Sequence, residues 1–246
     1  MQSRTGLTVR TFTPDQAAGA PPVLLVHGFG SDGHRDWVES GIVRALTAAG
    51  RTVIVPDLRG HGESPAPATA AEVTAPALVS DLVAVLDEAG IDTFDLVGYS
   101  LGARLGWDVP AAAPGRVRRA LLGGLSPAEP FEAVDVAALH RAVAEGTEPA
   151  DPFTGMIAGM VRAHGPRAAG LALCVEGLRS TPFVPQVWDG QAPPAFVVGQ
   201  DDMMTHGIER VVALVAGAEL TRVPGAHHEV LTQDAFRRTV LDVLAG

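Results

Sequence analysis

The feature that most constrains the fold is a rhythm of short apolar runs and longer Ala- and Leu-rich stretches. The runs are "PPVLLVHG" (21–28), "RTVIVPD" (51–57), "FDLVGYS" (94–100), "RRALLGG" (118–124), "PAFVVGQDD" (194–202) and the weaker "AELTRVPG" (218–225). They are continuous rather than alternating, which predicts strands buried on both faces. Between them, residues 37–49, 75–89, 101–113, 207–215 and 234–244 carry helical patterns. Strands alternating with helices imply right-handed crossovers, a mostly parallel twisted sheet and helices on both faces. "LTVRTFTP" (7–14) does alternate, and is expected to form an edge strand.

One interval breaks the rhythm. Residues 126–192 contain no convincing strand and carry Pro127, Pro130, Pro149, Pro152, Pro166, Pro182 and Pro185. Helix-like pieces lie near 132–145, 152–164 and 166–178. A long insertion in a regular α/β alternation is expected to be a lid over the site. The reading is one α/β domain over residues 1–246, with a helical lid at about 126–192.

Composition narrows the classes. A hydrophobic fraction of 47% in 246 residues is enough for a sizeable core. The single cysteine, Cys174, rules out an intrachain disulfide and reads as a small buried hydrophobe. A net charge of −10 argues against a nucleic-acid partner, which needs a basic footprint. "MQSRTGLTVR" has no apolar leader core, and no run is long enough for a membrane span. A cytoplasmic protein without a membrane partner is expected, as monomer or homodimer.

Chemistry concentrates where the strands end. Gly98-Tyr99-Ser100-Leu101-Gly102 turns an apolar strand directly into a helix. So sharp a turn leaves little room on its flanks, and the two glycines supply it. This is the G-x-S-x-G pattern that exposes a serine hydroxyl as a nucleophile; the plain alternative is a helix cap. A hydroxyl needs a base, and "VPGAHHEVL" (223–231) offers His227 and His228. The base needs an orienting carboxylate, and "VVGQDDMM" (197–204) offers Asp201 and Asp202. All lie at carboxyl ends of expected strands, where open α/β sheets place their sites. The Leu101 N–H, at a helix N-terminus, and the Phe29 N–H, in "HGFG" (27–30), are candidate donors to an oxyanion.

These segments resemble the α/β-hydrolase superfamily over nearly the whole chain. "VLLVHGFG", "VIVPDLRGHGES", "DLVGYSLGA", "VVGQDD" and "PGAHH" occur in the family's order. The resemblance implies the α/β-hydrolase fold and a triad of Ser100, Asp202 and His228. Asp202 stands three residues after Gly199. His228 follows from a Gly-x-Gly-His pattern in which His227 replaces the second glycine. Some relatives take the acid from the preceding strand end, where only Glu129 is available, a poor match. His27 and His61 read as structural anchors, Asp57 and Arg59 as loop ties, and Ser64 as a loop residue. The histidines show no metal-ligand spacing. Met156 and Met160 read as a core-facing stripe, with an adaptable pocket wall as the alternative. Phe131, Phe153, Phe183 and Trp188 are candidate pocket residues.

The implied activity is cofactor-free hydrolysis of a small-molecule acyl substrate, most simply a carboxylic ester, thioester or lactone of small to medium, mostly apolar character. An acyl-enzyme would form on Ser100, with the Phe29 and Leu101 amides holding the oxyanion. A serine rather than an aspartate nucleophile disfavours epoxide-hydrolase and dehalogenase chemistry. Arg104, Arg141, Arg162 and Arg179 are candidates to recognise a carboxylate. The rivals are a ligand receptor with little turnover, or a perhydrolase, lyase or C–C bond hydrolase using the same triad.

Overall fold

A computed structural model describes residues 5–245. The first four residues, and with them the start of the segment read for a leader, lie outside it. Its seven strands are β1 (Val9–Phe12), β2 (Val23–Val26), β3 (Val53–Pro56), β4 (Phe94–Tyr99), β5 (Val117–Gly123), β6 (Ala195–Gly199) and β7 (Glu219–Val223). They form one sheet of order β1-β3-β2-β4-β5-β6-β7. β1 pairs antiparallel with β3, and every other pairing is parallel. The alternating segment is thus the antiparallel edge, and the six apolar runs form the parallel body.

The helices are α1 (Ile42–Ala48), α2 (Ala75–Glu88), α3 (Leu101–Ala112), α4 (Val136–Glu145), α5 (Pro152–Arg162), α6 (Ala168–Ser180), α7 (Glu209–Val212) and α8 (Asp234–Ala245). The expected helix over 37–49 is broken. A wide π-type turn spans His34–Glu39, Gly41 takes a left-handed φ of 80°, and α1 starts only after it. The expected helix over 207–215 keeps only the short α7.

Alternate residues of one strand feed opposite faces, because strand side chains have a period of two. Val23 and Leu25 of β2 pack with Ile42, Val43 and Leu46 of α1 and Phe236 and Val240 of α8. Leu24 and Val26 pack with Leu78, Leu82 and Leu86 of α2 and Leu101 and Leu105 of α3. All four residues of β2 and of β3, and all six of β4, are buried. The central strands therefore had to be continuously apolar. The one charge in β4, Asp95, is fully buried and bonded to Arg51 and to Arg118 (Nε to Oδ1 2.9 Å), which spares it an uncompensated desolvation.

Between β5 and β6 no strand forms among the described residues; the segment holds α4, α5 and α6. Their inner sides, including Leu139, Ile157, Val161, Leu171 and Val175, join the same apolar cluster as α2 and α3. Asp135 and Asp151 cap α4 and α5, their carboxylates accepting the N–H groups of Ala138 (3.0 Å) and Thr154 (2.7 Å). Among the described residues, no helix is long and apolar enough to cross a membrane.

Candidate active site

The site begins with a strained serine. Ser100, between β4 and α3, has φ 53°, the only positive φ outside glycine among the described residues. Such a conformation costs about 1–3 kcal/mol and persists only where its surroundings enforce it. The enforcement is steric. A Cβ on Gly98 would lie 2.2 Å from the carbonyl oxygen of Gly102, and one on Gly102 only 1.9 Å from that of Val26. The glycines thus let α3 start directly against β2 and β4. The Ser100 N–H donates to Gly123 O at 2.8 Å, tying the turn to β5.

The Ser100 hydroxyl lies 2.9 Å from Nε2 of His227. Nδ1 of His227 lies 2.7 Å from Oδ2 of Asp202. A buried carboxylate can only accept, so Nδ1 carries the proton and Nε2 is left free to take one from Ser100. The other Asp202 oxygen accepts the Met204 N–H at 3.0 Å, which fixes the carboxylate. Asp201 is exposed and not part of this line.

The expected assignment of His228 to this line is corrected. His227, not His228, reaches Ser100 and Asp202. The reason lies in the turn after β7. Gly225 takes φ 109°, Glu229 Oε2 accepts the Ala226 N–H at 2.8 Å, and the Tyr99 hydroxyl donates to the His227 carbonyl at 2.5 Å. Consecutive side chains of that tight turn diverge. His227 goes inward and is buried, while His228 is exposed, stacked edge-on against it at 5.2 Å. Burial, then the charges of Asp202 and Asp36, hold the Tyr99 phenol well above its ordinary pKa, so it remains a donor.

The loop holding Phe29 is braced from both sides. His27 Nδ1 donates to Gly28 O at 2.8 Å, and its Nε2 accepts the Leu58 N–H at 2.9 Å. Asp36, in the π-type turn, accepts the Gly28 N–H at 2.9 Å and the Ser31 hydroxyl at 2.5 Å. The Phe29 ring packs on His61 and Phe131. Burial, and then His27, push the His61 imidazole down to about 3, so it is a neutral packing group. Asp57 accepts from Arg10 (2.8 Å) and from the Gly33 (2.9 Å) and Glu63 (2.8 Å) amides. Those bonds outweigh its desolvation and hold its carboxyl below the ordinary value. Arg59 pairs with Asp81, and the Ser64 hydroxyl donates to Asp57 O. Sequence reasoning missed Asp36 and Tyr99. A buried acid eight residues after the loop glycine carries no recognisable spacing, and Tyr99 reads as one more core aromatic.

Ser100 and His227 open into a cavity of about 390 Å³. Phe29 and Leu101, the two candidate oxyanion donors, line it, as does His228. Its walls are largely apolar, with Phe131, Phe153 and Ile157 among them. Met156 and Met160 also line it, and they are 60% and 40% exposed. The core-facing stripe expected of these methionines is therefore not found, because the inner side of α5 is Ile157, Ala158 and Val161. Phe183 and Trp188 pack on Trp107 instead of lining the cavity. Of the four candidate arginines only Arg104 lines it; Arg162 pairs with Glu148 and Arg179 donates to Glu132 O. Cys174 is buried, and its thiol is pushed up to about 12. Among the described residues, no group of three or more His, Cys, Asp or Glu side chains is placed to hold a metal ion.

The fold has counterparts among known proteins. A family model for the alpha/beta hydrolase fold matches residues 21–153, from just before β2 into α5. The chain belongs to the α/β-hydrolase fold family. Among curated relatives, it is 39% identical over 98 residues to epoxide hydrolase 3 of Siraitia grosvenorii, covering 40% of this chain and 30% of that one. It is 37% identical over 116 residues to 2-hydroxymuconate semialdehyde hydrolase of Pseudomonas sp. (strain CF600), covering 47% and 40%. The matched stretches thus span less than half of these relatives. Among solved structures, the enol-lactonase from Burkholderia xenovorans LB400 superposes with a TM-score of 0.75 at 22% identity, over 98% of this chain and 96% of that one. At that identity the likeness is one of fold.

Proposed function

We propose that this chain is a serine hydrolase that cleaves a carboxylic ester, thioester or lactone of a small to medium, mostly apolar substrate. The observation that carries the reading is the Ser100–His227–Asp202 line, with hydrogen bonds of 2.9 and 2.7 Å, opening on an apolar cavity.

In this reading His227 Nε2 takes the Ser100 proton as Oγ attacks the substrate carbonyl carbon. The carbonyl oxygen becomes an oxyanion, and the Phe29 and Leu101 N–H groups hold it, each worth about 3 kcal/mol in the transition state. Asp202 keeps Nδ1 protonated and stabilises the imidazolium. The imidazolium then gives its proton to the leaving alcohol, thiol or enol oxygen. Water, deprotonated by His227, attacks the acyl-Ser100 carbonyl; the C–Oγ bond breaks, the imidazolium returns its proton to Ser100 Oγ, and the acid is released. α5 and the start of the insertion contribute lining residues to the cavity, which supports reading the insertion as a lid. No step calls for a cofactor, and the partner is the small-molecule acyl substrate.

The nucleophile separates this chain from epoxide opening by a covalent route. A carboxylate that opens an epoxide leaves an ester, which water can cleave at its carbonyl. A serine would leave an ether with no carbonyl to attack. Ester-type substrates are therefore favoured here, despite the epoxide-hydrolase names among the relatives.

The test is turnover on p-nitrophenyl esters from C2 to C12. Hydrolysis with an optimum at short to medium chains is expected, because a cavity of about 390 Å³ lies at the small end of ligand pockets. No turnover at any length, together with saturable binding of the same esters, would replace the hydrolase reading with that of a receptor.

A further inference from the structure

The cavity that opens at Ser100 is not uniformly apolar. Apart from the Ser100–His227–Asp202 line, its lining includes one arginine, Arg104, and one carboxyl, Glu129. Both are more than nine-tenths buried, at 8% and 7% exposure. Arg104 stands one turn beyond Ser100 on α3. Nη1 is bonded to Asp108 (2.5 Å), Nη2 to Thr181 O (3.2 Å), and the guanidinium lies 4.8 Å from the centre of the Phe183 ring. Its buried Nε has no partner. Glu129 sits in the loop after β5, where Oε1 accepts the Phe131 N–H at 3.2 Å. Among the described residues no cation lies within ion-pair distance of it, the Arg104 charge acting on it only from farther off.

Burying a carboxyl and a guanidinium beside an apolar substrate space is costly; Asp108, Thr181 and Phe183 partly compensate Arg104, whereas Glu129 has no cation paired with it among the described residues. We propose that Glu129 and Arg104 form a polar subsite selecting substrates whose acyl chain carries a hydroxyl group. Chains that are unsubstituted, or that end in a charge, are discriminated against. The inference rests on the serine-hydrolase reading and deepens it.

The chemistry follows from what each group tolerates. A substrate carboxylate meets the Glu129 carboxyl, and a substrate ammonium meets the Arg104 charge. A hydroxyl both donates and accepts, so it satisfies Glu129 in either protonation state. That matters because burial, with the Glu132 charge, raises the Glu129 carboxyl above its ordinary value, against the partial offset of the Phe131 N–H, Arg104 and the Phe183 backbone. An unsubstituted chain adds no partner to a buried carboxyl that otherwise meets only main-chain donors, and sites of this kind favour a substrate that does.

The experiment compares kcat/KM for the methyl esters of hexanoic and octanoic acids with three sets of analogues. These are the same esters with a hydroxyl at successive carbons, monomethyl adipate and monomethyl suberate. At least one hydroxy ester is expected to exceed its parent by about tenfold or more, with the half-esters slowest. Glu129→Leu is expected to lower kcat/KM for that hydroxy ester and raise it for the parent, mainly through KM. Glu129→Gln, which still donates and accepts, keeps most of the preference. Glu129→Met serves if Glu129→Leu does not fold. A wild type with no hydroxyl preference overturns the proposal. So does a folded Glu129→Leu or Glu129→Met variant with an unchanged ratio. If the wild type hydrolyses neither these esters nor the p-nitrophenyl esters, the serine-hydrolase reading fails separately. The same esters are then titrated calorimetrically against Ser100→Ala. Tighter binding of a hydroxy ester, lost on adding Glu129→Leu, supports the subsite, and equal binding of hydroxy ester and parent overturns it.

Discussion

Replacing Ser100 by alanine is expected to lower kcat for ester hydrolysis by about 10⁴- to 10⁶-fold, with the fold retained. The Oγ that forms the covalent bond is lost, and the oxyanion donors and the cavity alone leave only a small residual rate. The backbone has little reason to change. The left-handed turn at residue 100 is enforced by the close approach of Gly98 to Gly102 and of Gly102 to Val26, and alanine keeps the same Cβ. Circular dichroism and thermal unfolding alongside the kinetics check this. A variant that keeps more than about a tenth of the wild-type kcat would remove Ser100 from the reaction.

The second large effect separates two neighbouring histidines. His227→Ala is expected to lower kcat by about 10⁴-fold or more, and His228→Ala by less than about tenfold. His227 alone lies between the Ser100 hydroxyl and the Asp202 carboxylate. His228 touches the cavity and stacks on the His227 ring, so its loss perturbs the entrance rather than proton transfer. Parallel esterase assays on the two variants decide it. Equal losses, or a larger loss for His228→Ala, would contradict the geometry.

That pair also marks where the sequence stops being legible. The strands were readable because burial on both faces demands unbroken apolar runs, as in Val23–Val26 and Val53–Pro56. The edge was readable because "LTVRTFTP" alternates. Ser100 was readable because two glycines around one serine, between a strand and a helix, have few other uses. The choice of histidine depends on how the chain turns after Gly225, which is set by Glu229 and by the Tyr99 hydroxyl reaching across from β4. The Tyr99 contact joins residues 128 apart and leaves no local pattern. Asp36, which steadies the loop of Phe29 from a π-type turn that begins before the expected helix over 37–49, carried no recognisable spacing either. The cavity walls were only partly readable. Helical spacing groups Met156 with Met160 but does not say which side of α5 faces the core, and the two methionines line the cavity.

The most direct measurement of the central claim is the intact mass of the protein after exposure to a fluorophosphonate, followed by peptide mapping. Serine activated by His227 should displace fluoride and gain one phosphonyl group per chain. The adduct should map to the peptide containing Ser100, be absent from Ser100→Ala and form far more slowly on His227→Ala. An unmodified wild type that still hydrolyses esters, or an adduct on any other residue, would contradict Ser100 as the nucleophile.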